Sequence, residues 1–101
     1  MSNYSLSGHV ALVTGSSKGL GASIVRNLAS AGASVVVNAF NNVQRAQEIA
    51  DEITEGGGKA IAVGADVTKP DEIAALVEET SSKLGSIDIV VPNATGPQPL
   101  K

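Results

Sequence analysis

Thr14-Gly15-Ser16-Ser17-Lys18-Gly19-Leu20-Gly21 packs three glycines, a lysine and three hydroxyl side chains into eight residues. The chemistry this pattern suits is the holding of a diphosphate. Gly15 allows a tight turn, Gly19 lets the anion approach the backbone, and Gly21 lets a helix pack close to a strand. A helix beginning at the end of the stretch adds unpaired N–H groups and a positive dipole end. The neighbours supply that context. Residues 9–13 form a short apolar run that reads as a buried strand, and residues 20–30 read as a helix. The spacing Gly15…Gly19…Gly21 differs from the commoner G-x-G-x-x-G.

Other chemistries find little support. The chain has no cysteine, which excludes disulfides and thiol catalysis. His9 is the single histidine and reads as a half-exposed residue at a strand start, so no metal site is expected. The net charge is −3, the basic residues are scattered, and Tyr4 and Phe40 are the only aromatics, so no nucleic-acid surface is expected. Residues 1–8 lack a charged start followed by an apolar core, and no apolar run approaches the roughly 20 residues of a membrane span. The expectation is a soluble protein of the cytoplasm, with no membrane partner.

The elements that position the turn follow from periodicity. A chain of 101 residues, 43% apolar with 11 Gly and 4 Pro, suits one globular α/β domain. Strands are expected at 9–13, 34–38, 59–63 and 87–91, the second rich in β-branched valine. Helices are expected at 20–30, 43–55 and 69–84. Their apolar faces are Ile24, Val25, Leu28 and Ala29, then Val43, Ala46, Ile49, Ala50 and Ile53, then Ile73, Leu76, Val77 and Leu84. Gly32, Gly56-Gly57-Gly58 and Gly85 end them; Asn41 or Asn42 caps the second, and Thr68 caps the third. Residues 8–94 form the core, with 95–101 as a tail. Alternating strands and helices imply a doubly wound parallel sheet of Rossmann type, β-α-β-α-β-α-β, with expected strand order 3-2-1-4. A ligand should sit at the carboxyl ends of the strands, where the first and fourth strands meet.

The octapeptide resembles the T-G-x-x-x-G-x-G turn of the short-chain dehydrogenase/reductase family. The resemblance implies a nicotinamide dinucleotide cofactor and hydride transfer between it and a carbonyl or alcohol. It places Gly15, Ser17, Lys18, Gly19, Leu20 and Gly21 at the phosphates. Where the family selects NAD with an acidic residue after the second strand, this chain has Ala39, flanked by Asn38 and Phe40, and no carboxylate lies between Ala33 and Gln47. Lys18 matches the basic residue that family members preferring NADP place near the 2′-phosphate, with Ser17, Asn41 and Asn42 adding hydrogen bonds. NADP is therefore expected in preference to NAD. Asp66-Val67 is similar to the family's adenine-binding pair. Asn93-Ala94 is similar to part of its N-N-A-G motif beside the nicotinamide ribose, with Pro92 for the first Asn and Thr95 for the Gly.

The family's catalytic Tyr-x-x-x-Lys has no counterpart within these residues, since Tyr4 is followed four positions later by Gly8. The family's domain runs to about 250 residues as one unit, so the resemblance covers about its first two-fifths. Two functions are compatible with this. One is the cofactor-binding portion of a short-chain reductase, not catalytic alone. The other is a non-catalytic nucleotide-binding module or a subunit completed by another chain; a protein that has left cofactor binding for an interaction role would show no nucleotide affinity. The fourth strand would lack its neighbour, and an open apolar edge invites self-association.

Overall fold

The computed structural model describes residues 5–93. Seven elements follow in strict alternation: β1 (Val10–Val13), α1 (Gly19–Ser30), β2 (Ser34–Ala39), α2 (Val43–Glu55), β3 (Lys59–Gly64), α3 (Pro70–Lys83) and β4 (Ile89–Val91). The strands form one sheet in the order β3-β2-β1-β4, every pair parallel, as the alternation requires. The register sets Val13 opposite Val37 and Val91, and Asn38 opposite Val63. The ends of the four strands thus meet along one edge.

Burial on both faces explains why the central strands read as unbroken apolar runs. Ala11, Val13, Val35, Val37 and Ala39 face the side covered by α1 and α2, where Val25, Ala46, Ile49 and Ala50 are closed off from solvent. Leu12, Val36, Val63 and Ala65 face the other side, under Leu76 of α3. On the first side, Arg26 of α1 donates from Nε and Nη2 to the two carboxylate oxygens of Glu52 on α2, at 2.9 and 3.1 Å.

The second side is thinly covered, and two residues expected in its core are not there: Ile73 and Val77 of α3 remain 39% and 41% exposed. On the first side, Val43, also expected in the core, is 42% exposed at the very start of α2. One helix cannot cover the face that two cover opposite, so the outer half of the α3 stripe meets solvent. An apolar cleft of about 570 Å³ opens there between α3 and the β1–β4 pair, lined among others by Leu12, Ile73, Val77 and Val90. β4 is the sheet edge, with Ile89 and Val91 half-buried and Val90 57% exposed.

Element ends shift for local reasons. β4 begins at Ile89, not Ile87, because Asp88 turns its side chain to β1: Val10 N–H donates to Asp88 Oδ1 at 3.0 Å, and His9 Nδ1 meets Oδ2 at 2.9 Å. Asn42, not Asn41, caps α2, its side chain accepting from Arg45 N–H; both asparagines are exposed. The N-cap of α3 is Lys69, not Thr68, because the Thr68 hydroxyl is taken by Asp66. Among the described residues, no helix is long and apolar enough to cross a membrane.

Candidate functional site

The turn after β1 has the geometry its glycines predict. Gly15 and Gly19 sit at φ +62° and +61°, the left-handed region that costs other residues about 1–2 kcal/mol. A Cβ on Gly19 would meet nothing within 4 Å, so the backbone there is open to an approaching group. A Cβ on Gly21 would lie 2.5 Å from the Gly15 carbonyl oxygen, 2.5 Å from Asn93 Nδ2 and 2.9 Å from Ser16 Cα. Gly21 therefore brings α1 against the turn, and Gly19 leaves its surface bare.

Lys18 stands at the N-cap of α1 in extended conformation (φ −160°, ψ 167°), with its side chain exposed and making no capping bond. The first turn of α1 carries no acidic residue, and its N–H groups have no partner within the helix. Leu20 beside it is 70% exposed. Backbone donors, a dipole end and a lysine thus face one open surface, which favours an anion.

Hidden bonds hold the turn in shape. Ser16, fully buried, donates from Oγ to the Val13 carbonyl at 2.7 Å and accepts from Asn38 N–H at 2.9 Å. Asn38 Oδ1 accepts from Gly15 N–H at 2.9 Å, and its Nδ2 donates to the carbonyls of Val63 and Ala65 at 3.2 and 3.3 Å. Just after β4, Asn93 N–H donates to Thr14 Oγ at 2.8 Å, and Asn93 Nδ2 donates to the Gly15 carbonyl at 3.2 Å. Thr14 and Ser16 carried no assigned role in the sequence; their hydroxyls give no signal of their partners until the strand ends are placed.

Two expected site residues act differently from expectation. Asn38 was expected at the cofactor, but it is 1% exposed and its whole carboxamide is engaged within the protein. Ala39 continues β2, and its side chain joins the core under α1 and α2. Both carry the site from behind because β2 continues through Asn38 to Ala39, one residue past its expected end, and its side chains stay within the sheet's packing. Ser17 is nearly buried in the turn, and Asn41 is exposed after β2. Asp66 and Val67 are half-buried after β3. Asp66 Oδ1 accepts from the Thr68 hydroxyl at 2.6 Å and from Thr68 N–H at 3.0 Å, and Glu72 Oε1 accepts from Asp66 N–H at 2.7 Å. The Thr68 hydroxyl and then its N–H hold the Asp66 carboxyl below its usual value. Asp66 is thereby an anionic turn residue at the edge of the same crevice. Ala94 lies outside the described residues.

A second cavity, of about 590 Å³, lies at the amino ends of the strands, between the loops at Gly32 and Gly56-Gly57-Gly58. It is remote from the glycine turn, and open α/β sheets bind ligands at the carboxyl ends. The expected residues gather there: Lys18, Gly19 and Gly21 above β1, Asn41 after β2, Asp66-Val67 after β3 and Asn93 after β4.

The chain is 48% identical over 91 residues to a hydroxynaphthalene reductase-like protein of Metarhizium guizhouense, covering 89% of this chain and 34% of that protein. Among solved structures it resembles a hydroxysteroid dehydrogenase from Escherichia coli, with a TM-score of 0.84 and 41% identity over 96% of this chain and 42% of that one. A 7α-hydroxysteroid dehydrogenase in complex with NADH and 7-oxo glycochenodeoxycholic acid is similar to the same degree, with a TM-score of 0.84 and 41% identity, covering 96% of this chain and 38% of that one. The chain spans about a third of the length of the curated relatives it matches. The family model described as short chain dehydrogenase matches residues 9–101, and with the parallel sheet and glycine turn in place, the chain belongs to the short-chain dehydrogenase family.

Proposed function

We propose that this chain is the cofactor-binding portion of an oxidoreductase that uses NADP in preference to NAD. The observation that carries the reading is the glycine turn: a bare backbone at Gly19, a helix start held close by Gly21, and an exposed Lys18 above β1. These groups suit a dinucleotide diphosphate, with Ser17, Gly19, Leu20 and Gly21 presenting backbone to it and Gly15 making the turn that brings them there. Asp66 and Val67 suit the adenine, and Asn93 with Ala94 the nicotinamide ribose. Preference for the 2′-phosphate rests on Lys18, with Ser17, Asn41 and Asn42 as hydrogen-bonding neighbours, and on the absence of any carboxylate between Ala33 and Gln47. Lys18 acts as a flexible point charge.

When bound, the reduced nicotinamide would supply hydride to a carbonyl, or the oxidised nicotinamide would accept it from an alcohol. The chain's own residues bind and orient the dinucleotide. No tyrosine here is followed four residues later by lysine, so no phenol is tuned to move the hydroxyl proton. The 101-residue chain by itself therefore binds without turnover. A second reading, a module completed by another chain, is favoured by the edge of β4, open among the described residues, where Val90 is 57% exposed.

A fluorescence titration with NADPH and NADH tests the proposal. Saturable binding that favours NADPH is expected. Lys18→Ala should weaken NADPH by about tenfold, the scale of one charge-assisted hydrogen bond, weaken NADH much less, and so erase most of the preference. Equal affinity for the two cofactors would remove NADP preference; binding of neither would remove the cofactor reading.

A further inference from the structure

We propose that Asn38 is a positioning residue that joins the phosphate-binding turn to the adenine-side segment, so that dinucleotide affinity depends on a buried side chain that touches no ligand. The inference rests on the cofactor reading above. Asn38 is 1% exposed, at the point where β2 passes between the glycine turn and β3. Its Oδ1 accepts from Gly15 N–H, in the turn. Its two Nδ2 hydrogens go to the carbonyls of Val63, in β3, and of Ala65, directly before Asp66. One carboxamide therefore holds both halves of the crevice in a fixed relation. Gly15 and Ser16 lie beyond the paired residues of β1, so the sheet ladder does not hold them. Their ties to β2 are the Asn38 side chain and two bonds between the Asn38 main chain and Ser16, one to the Ser16 N–H and one to its hydroxyl.

Only a carboxamide satisfies these partners, because it offers one acceptor and two donors at a single short reach. A carboxylate would still accept from Gly15 but would set oxygen against the two carbonyls. An isosteric apolar side chain would strand one buried N–H and two carbonyls, each costly to leave unpaired. Asn38→Asp and Asn38→Leu should therefore loosen the turn and the Asp66 segment together.

The test uses the isotope-labelled 101-residue chain. In the unsubstituted chain, the Gly15 amide should exchange slowly with solvent, as its partner is buried. In Asn38→Leu and Asn38→Asp, the amide resonances of Gly15 and Asp66 should move together while circular dichroism keeps the helical signal. NADPH and NADH affinity should both fall by about tenfold or more, the scale of a lost buried hydrogen bond, in contrast with the NADPH-selective loss at Lys18→Ala. A folded Asn38→Leu that binds both cofactors as tightly as the unsubstituted chain overturns the proposal. So does a rapidly exchanging Gly15 amide, which decides the matter even if both variants fail to fold. Binding of neither cofactor by the unsubstituted chain, with Gly15 protected, would overturn the cofactor reading and with it the effect on affinity, while the coupled shifts would still establish the link between turn and Asp66 segment.

Discussion

Gly19 and Gly21 stand two residues apart and do different work. Gly19 needs a left-handed backbone and has empty space where a Cβ would be; Gly21 needs the space itself. At Gly21→Ala, the new methyl meets the Gly15 carbonyl and Ser16 Cα, which are backbone and cannot swing aside as Asn93 Nδ2 can. The expected cost is about 1–3 kcal/mol, the range for forcing a methyl into a packed site, with loss of dinucleotide binding because α1 is levered off the turn. Urea denaturation measures the first and cofactor titration the second. Unchanged stability in Gly21→Ala would mean that the start of α1 is loosely held.

At the scale of elements, two carboxylates anchor the pieces that pack least. Asp88 ties β4 to β1: its Oδ1 accepts from Val10 N–H, its own N–H donates to the Val10 carbonyl, and Oδ2 meets His9. The Val10 N–H, and then His9, hold the Asp88 carboxyl below its usual value. Asp66 does the same for the entry into α3 through Thr68. A carboxyl with a depressed folded-state pKa adds stability that is fully present above the unfolded value and is lost as pH falls through the folded one. Both contributions should therefore hold at neutral pH and disappear below about pH 4, the ordinary aspartate range. Asp88→Asn should lower stability near neutrality and flatten the acid limb of the stability–pH curve, read by thermal unfolding from about pH 2 to about pH 7, on both sides of the ordinary aspartate range. An unaltered acid limb would show that the Val10 and His9 contacts contribute nothing.

The molecule as a whole is unevenly covered. Among the described residues, two helices seal one face of the sheet but α3 alone lies on the other, and the apolar residues Ile73, Val77 and Val90 meet solvent beside the edge of β4, which pairs with no further strand there. A short edge strand with an exposed valine is a template for another chain. Concentration-dependent self-association is the expected outcome in gel filtration, and Val90→Lys should reduce it, since a charge on an edge strand opposes pairing. A monomer at high concentration with β4 ordered would refute association through this edge.

Much was legible from local pattern because a buried parallel strand and an amphipathic helix each leave a period in the chain. The seven elements, their order in the sheet and the glycine turn rest on Val35-Val36-Val37, on the 3.6-residue spacing of Ala46, Ile49, Ala50 and Ile53, and on three glycines. Family membership follows from the same residues, which comparison with known proteins bears out. Only the tertiary structure decided how Asn38, Thr14, Ser16 and Asn93 are used, because their partners are up to 79 residues away and exist only once strand ends meet. It also decided which apolar residues are buried. Ile73 and Val77 have the right spacing for a core, yet a periodic stripe specifies a face and not the presence of something to cover it.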